Sequence, residues 1–322
     1  MEGHYRAVFE PKALVGTKLD RYRLLELIGV GGYGAVYRSE HEILAREVAV
    51  KVLRRADGGD AGVRRFMREA QAASAVDSPY VIKAFDSGIA EYPFLVFEYL
   101  VGEPLSSWLC REGAGQLADA LAFTQEILAG LQAAHAAGVV HRDLKPSNVF
   151  LRETVEGASC VLLDFGIAKL GKASLASSNL TRTGMMMGTP SFAAPEQLQS
   201  AKHVDARADL YSAGVLLYRM LSGTFPFDDS SYERMLIAIV MHARRPLKEA
   251  APHLPTALCH VVDRAVARDP DARYQNAHAF QAALQQTLVG SGWAGVSQQR
   301  VPTAPLIDMS ALGQTKKSLV KS

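Results

Sequence analysis

Five short stretches of this sequence carry residues that could do chemistry together. Gly29-Val30-Gly31-Gly32-Tyr33-Gly34-Ala35-Val36 spells G-x-G-x-x-G-x-V, a pattern that lets backbone amides approach a phosphate. A dinucleotide fold would open a helix at such a loop, with the helix N-terminus facing the pyrophosphate. Here AVYRSEHE continues the alternation of a strand, so the loop joins two strands of a hairpin. An ordinary glycine-rich hairpin would satisfy the same residues. In Val48-Ala49-Val50-Lys51, alternation puts Ala49 and Lys51 on one face, where Val36 can meet them from the hairpin. That grouping would set an apolar wall and an ammonium beside a nucleotide; a surface lysine ending an apolar strand is the plain alternative. Glu69 lies at the edge of a helical stripe of Phe66, Ala70 and Ala73, and a carboxylate turned toward a core needs a cation. Lys51 can supply it, as Arg65 or Arg68 could in solvent. The remaining two stretches are His141-Arg142-Asp143-Leu144-Lys145-Pro146-Ser147-Asn148 and Asp164-Phe165-Gly166, the latter placed after the apolar strand Val161–Leu163.

The elements that must position these residues change in kind near residue 100. YRLLELIGVG, AVYRSEHE, REVAVKVL, VIKAFDSG and FLVFEYL read as five strands, interrupted by a helix from Ala61 to about Val76 that Asp77-Ser78-Pro79 stops. Beyond Gly102 the texture is helical. Leu117–Ala137 is a long amphipathic helix with Gly138 placed to end it, and further helices are expected at Asp205–Leu221, Tyr232–His242, Pro255–Ala267 and Asn276–Leu288. A small β-rich lobe therefore precedes a larger helical one, with residues 98–102 as the joint.

Composition narrows the class. The 322 residues are 48% hydrophobic and 21% charged, which excludes collagen-like, coiled-coil and wholly disordered chains. Thirty-five basic residues against 33 acidic ones give a net charge of +2, so neither nucleic acid nor an anionic membrane is expected as the main partner. Charges at Glu2, Arg6, Glu10 and Lys12 break up any signal-peptide core, and no stretch reaches the ~20 apolar residues of a membrane span. Cys110, Cys160 and Cys259 are few, scattered and odd in number, which fits neither a disulfide framework nor a zinc cluster. A cytoplasmic location is the expectation.

Taken in order, these stretches resemble the protein kinase superfamily, specifically the bacterial eukaryote-like serine/threonine kinases. The resemblance runs over about Tyr22–Leu288 and also takes in GTPSFAAPE, DARADLYSAG and RDPDARY. It implies an α+β bilobal fold and an ATP-dependent enzyme that phosphorylates Ser/Thr hydroxyls of proteins, using Mg²⁺, or Mn²⁺ in its place. A nucleotide-binding pseudokinase scaffold is the alternative, although Lys51, Asp143 and Asp164 are all retained. By resemblance, Lys51, fixed by Glu69, holds the α- and β-phosphates, and Asn148 and Asp164 ligate the metal. Asp143 accepts the proton of the substrate hydroxyl, and Lys145 stabilises the transferring phosphate. The nucleotide contacts it implies are Ile28, the glycine loop to Val36, Ala49, Glu98, Leu100, Glu103 at the ribose, and Leu151 as floor, with Phe97 controlling access behind the adenine. His141 should support Phe165, Asp209 should cap and brace the catalytic loop from its helix, and Glu196 should pair with Arg273 as a buried ion pair.

Regulation and boundaries come from the same resemblance. Arg142 before the catalytic Asp is typical of kinases switched by activation-loop phosphorylation. Thr181 and Thr183 resemble a paired autophosphorylation site, modified in trans through transient self-association, and Thr189 marks the Ser/Thr branch. Phe192 and Ala193 depart from the usual Tyr and larger neighbour, which leaves peptide specificity open. The expected organisation is an N-terminal extension over 1–20 and a kinase domain over 21–288, with an N-lobe of 21–99 and a C-lobe of 103–288. A polar, basic tail over 289–322 is expected to be dispensable for catalysis.

Overall fold

Alternating burial along the first strands makes a sheet with one face committed to a core. The computed structural model describes residues 9–31, 34–54, 59–165, 190–199, 204–227 and 231–289. These residues divide into two compact units, one formed by residues 9–74 and 83–100, the other by 75–82 and 101–289.

In the first unit the strands are β1 (Lys18–Leu19), β2 (Tyr22–Gly31), β3 (Gly34–His41), β4 (Arg46–Leu53), β5 (Ala84–Ile89) and β6 (Pro93–Glu98). They form one sheet in the order β1-β2-β3-β4-β6-β5, every neighbouring pair antiparallel. Val48, Val50 and Val52 of β4 join Tyr22, Leu24, Ala35, Tyr37, Phe94 and Val96 in the core. The helix α1 (Gly59–Ser74) interrupts the strands and buries Phe66 and Ala73. Residues 9–19, expected as an extension, also cover this core. Phe9 and Leu14 pack against it, Leu19 is buried, and the Tyr37 hydroxyl donates to the Pro11 carbonyl at 2.9 Å.

The second unit contains β7 (Gly102–Pro104), α2 (Leu105–Glu112), α3 (Leu117–Ala136), β8 (Val149–Thr154) and β9 (Gly157–Leu162), followed by α4 (Pro195–Gln199), α5 (Arg207–Ser222), α6 (Tyr232–Met241), α7 (Leu247–Ala250), α8 (Thr256–Ala265) and α9 (Ala277–Val289). Of the small sheet β7-β8-β9 only the end of β9 was anticipated, as the apolar strand Val161–Leu163; β7, β8 and α2 were not. α3 stops as its terminal glycine requires. Gly138 takes φ +74, its N–H donates to the His135 carbonyl, and the Val139 N–H reaches back to the Ala134 carbonyl. α5 is buried continuously from Ala208 to Tyr218, so its long apolar run serves a core on all sides. Among the described residues no helix is long and apolar enough to cross a membrane.

Candidate active site

The first unit presents its candidate residues on the sheet face opposite its core. Ala35 and Tyr37 point inward on β3, so Val36 points outward, and it lies directly across from Lys51. Lys51 and Ala49 are half-buried between the buried valines of β4, and Ala49 sits opposite Phe97 of β6. The hairpin bulges around Ile28, where the register shifts between Leu27 and Gly29. Gly34 is required by closeness, because a Cβ there would collide with the Val52 carbonyl oxygen. The Glu98 N–H is taken by the Lys83 carbonyl at 3.0 Å, which removes that donor from any ligand; Leu100 is half-buried. Gly32, Tyr33 and the side chain of Glu69 lie outside the described residues.

The second unit assembles the acid, the lysine and the amide. Asp143 Oδ2 accepts from Lys145 Nζ at 2.9 Å and from Asn148 Nδ2 at 3.3 Å, while the same Nδ2 donates to the Asp143 carbonyl at 2.9 Å. The Leu163 N–H donates to the Asn148 carbonyl at 2.8 Å, so Asp164, one residue on, is tethered beside Asn148. Arg142 and Asp164 hold φ of +62 and +44, left-handed values that non-glycine residues rarely keep without support.

That support is visible. Asp209, 1% exposed, accepts the backbone N–H groups of His141 and Arg142, each at 2.8 Å, and lies 2.8 Å from His135 Nε2. From α5 it caps and braces the backbone of the loop, as expected. His141 is fully buried, and burial holds its imidazole below the usual range, hence neutral. The Leu163 carbonyl, 2.9 Å from Nε2, can only accept, so Nε2 carries the proton. Nδ1 is then free to accept the Asp143 N–H at 3.3 Å. The His141 ring lies 5.0 Å from that of buried Phe165. Arg142 gives one bond to the Val204 carbonyl, and its buried Nε has no partner among the described residues.

Further out, Arg273 is completely buried and all five of its N–H donors are used: two on Glu196, at 2.7 and 2.8 Å, and the rest on the carbonyls of Ala267, Arg207 and Arg268. Glu196 itself is 23% exposed, so only the arginine half of the expected buried pair is dry. Phe192 is buried and meets Phe225 edge-on.

Two residues expected at the nucleotide, Leu151 and Glu103, lie on one strand face. Leu151 is completely buried, whereas its neighbour Phe150 keeps exposure on the other face of β8. Glu103 lies directly across from Leu151, so it shares Leu151's face, and its carboxylate is held by Arg111 at 2.8 Å. Pro104 and Phe150 pair on the opposite face. Sequence reading also missed Gln197, which receives the Ala194 N–H and donates to the Arg142 carbonyl at 2.9 Å. The period-two pattern of residues 149–152 could have separated Phe150 from Leu151; Pro195 and Gln197 at the start of α4 mark the bond to Ala194, but nothing local marks the one to Arg142. Gly166, Thr181, Thr183 and Thr189 lie outside the described residues.

The sequence matches the protein kinase domain family over residues 22–287. The chain belongs to that family. This kinase domain is 38% identical over 95% of its length to the serine/threonine-protein kinase Pkn1 of Myxococcus xanthus, and 42% identical over 82% to pkn2 of the same organism. It spans 45% and 32% of the length of these two relatives. Among solved structures it is similar to the PknI kinase domain of Mycobacterium tuberculosis, with a TM-score of 0.64 and 27% identity, covering 84% of this chain and 98% of that one. The kinase fold, with a β-sheet N-terminal part and a helical C-terminal part, is therefore the fold of this chain, and the family works with ATP and a divalent cation. Among the described residues no cluster of three or more His, Cys, Asp or Glu could hold a metal unaided. A carboxylate and an amide oxygen suit a hard cation that keeps waters and takes phosphate oxygens, so Asp164 and Asn148 fit such an ion.

Proposed function

We propose that this chain is an ATP-dependent serine/threonine protein kinase. The observation that carries the reading is the Asp143–Lys145–Asn148 cluster, held by Asp209 and tethered to the residue before Asp164. Phosphoryl transfer asks a protein for positioning and charge neutralisation more than for covalent help. Asp143 orients a Ser or Thr hydroxyl and accepts its proton as the oxygen bonds to the γ-phosphorus; the bond from that phosphorus to the β-bridging oxygen breaks and ADP leaves. Lys145 stabilises charge on the moving phosphoryl group. Asn148 and Asp164 would hold Mg²⁺, which supplies charge neutralisation on the phosphates when bound. Lys51 and the amides from Gly29 to Gly34 hold the phosphates, with Glu69 as partner to Lys51. Val36, Ala49 and, in place of Leu151, Phe150 offer apolar surface to the base. Phosphorylated Thr181 or Thr183 would give the buried Arg142 Nε the anion its fork can bind.

Incubation of the purified chain with labelled ATP, Mg²⁺ and a generic protein substrate tests the reading. Asp143→Asn should retain ATP binding and lose roughly 10²–10⁴-fold in turnover. Lys51→Met should fold and transfer no phosphate at a useful rate. Turnover near the wild-type rate in either variant removes these roles, and no phosphate on any protein favours a scaffold.

A further inference from the structure

One buried carboxylate stands apart from the phosphoryl-transfer residues. Glu126 of α3 is 6% exposed, and its Oε2 accepts the Cys160 N–H of β9 at 2.7 Å. Burying an ionised side chain is costly unless polar groups receive it, and an aliphatic residue would pack against β9 without that cost. The position of β9 explains what the charge is for. The strand stands at the edge of β7-β8-β9, yet it is buried from Ala158 to Leu162. An edge strand presents backbone groups with no neighbouring strand, and burial denies them water. Part of this edge is served by residues 80–82: the Leu162 N–H donates to the Tyr80 carbonyl at 2.8 Å, and the Ile82 N–H donates to the Leu162 carbonyl at 3.0 Å. Two residues earlier the N–H of Cys160 emerges on the same side, and Glu126 stands where a further strand would have put a carbonyl. A hydrogen bond to a carboxylate is shorter and stronger than its neutral counterpart.

Beyond Cys160 the strand runs directly into the metal-binding end of the site. Leu163 is held on both sides, its N–H by the Asn148 carbonyl at 2.8 Å and its carbonyl by His141 Nε2 at 2.9 Å, and Asp164 comes next. The chain leading into Asp164 is thus pinned at 160, 162 and 163. We propose that Glu126 is a positioning residue for phosphoryl transfer: its carboxylate replaces the missing neighbour strand along β9 and so fixes the approach of Asp164 to its metal ion. The inference rests on Asp164 being a metal ligand, and the experiment separates the two.

Mn²⁺ binding to the full chain is measured by electron paramagnetic resonance with a non-hydrolysable ATP analogue present, alongside amide hydrogen exchange. In Glu126→Leu the Cys160 amide should exchange about tenfold faster. Mn²⁺ should bind about tenfold more weakly, as it does when outer partners of metal ligands are lost, while the affinity for the metal-free nucleotide analogue stays put. Glu126→Gln should recover most of the Mn²⁺ affinity, since its amide oxygen still accepts the Cys160 N–H. Glu126→Asp draws the carboxylate back by one methylene in a chain that keeps the charge, so it carries the test should the Leu variant not fold; it too should weaken Mn²⁺. Mn²⁺ affinity unmoved in Glu126→Leu or Glu126→Asp, with Asp164→Asn abolishing it, overturns the positioning role alone. Mn²⁺ binding that survives Asp164→Asn overturns the metal assignment on which it rests.

Discussion

A neutral imidazole and a saturated guanidinium make exacting demands on their surroundings. His141 has its folded-state pKa lowered by burial from an ordinary 6.5, so the unfolded chain binds its proton more readily. Its contribution to stability is therefore complete above about pH 6.5 and is lost as pH falls from there toward the folded value. Below that point both states are protonated and the loss stops growing. His141→Gln keeps a donor and an acceptor without titrating, so the wild type should lose more stability than the variant between pH 7 and 5. Parallel urea titrations across that range check it; equal slopes would mean that the imidazole is not held neutral. Arg273→Ala poses the complementary problem. It strands three backbone carbonyls, opens a cavity and releases Glu196, at a cost of about 3–5 kcal/mol by the measure of broken buried pairs. Much of that cost falls on the carbonyls, because the partly exposed Glu196 can turn to water. Arg273→Lys, with one charged nitrogen in place of the fork, should recover less than half, as judged by the denaturation midpoint.

Strand faces decide how much of the site could be read before any coordinates. β2 and β4 begin and end where the alternating residues say, and the outward face of Val36, Ala49 and Lys51 comes from counting by two. The same count separates Phe150 from Leu151, a split that the catalytic motif ending at Asn148 obscures because it abuts the strand directly. β7 was hidden for a different reason. It has three residues, a glycine and a proline among them, and becomes a strand only through pairing with β8. The bonds of Gln197 to Arg142, of His135 to Asp209 and of Glu126 to Cys160 were hidden because these partners lie far off in the chain. Substitution separates the two faces of β8. Leu151→Ala empties a fully buried site and should cost about 2–5 kcal/mol of stability. Phe150→Ala should leave the melting temperature nearly unchanged and raise KM for ATP several-fold, with kcat little altered. Calorimetry and steady-state kinetics on the pair would show the assignment reversed if Leu151→Ala raised KM while Phe150→Ala melted early.

At the scale of the whole molecule, the machinery around Asp143 comes with its supports in place, while one group there lacks an acceptor. Asp209 and Gln197 together hold the backbone of His141 and Arg142, so the left-handed turn at Arg142 needs nothing further to persist. The Arg142 guanidinium is another matter, for its buried Nε has no acceptor among the described residues. A phosphate brings a charge of about −1.5 to −2 and three acceptor oxygens, which match an arginine fork. If Thr181 and Thr183 deliver it, the modification should pass between molecules, because a segment that must enter a site as substrate does so most simply in another copy. Three outcomes are expected. The initial rate of autophosphorylation per molecule should rise in proportion to concentration. An inactive Asp143→Asn copy should be phosphorylated on the threonine pair by the wild type. The double change Thr181→Ala, Thr183→Ala should slow phosphorylation of an added substrate about tenfold, the value of one charge-assisted contact of roughly 1.4 kcal/mol. Both proteins are treated with phosphatase first, so that each begins without phosphate. A rate per molecule independent of concentration would make the reaction intramolecular, and full activity in the double mutant would leave Arg142 with a structural role only.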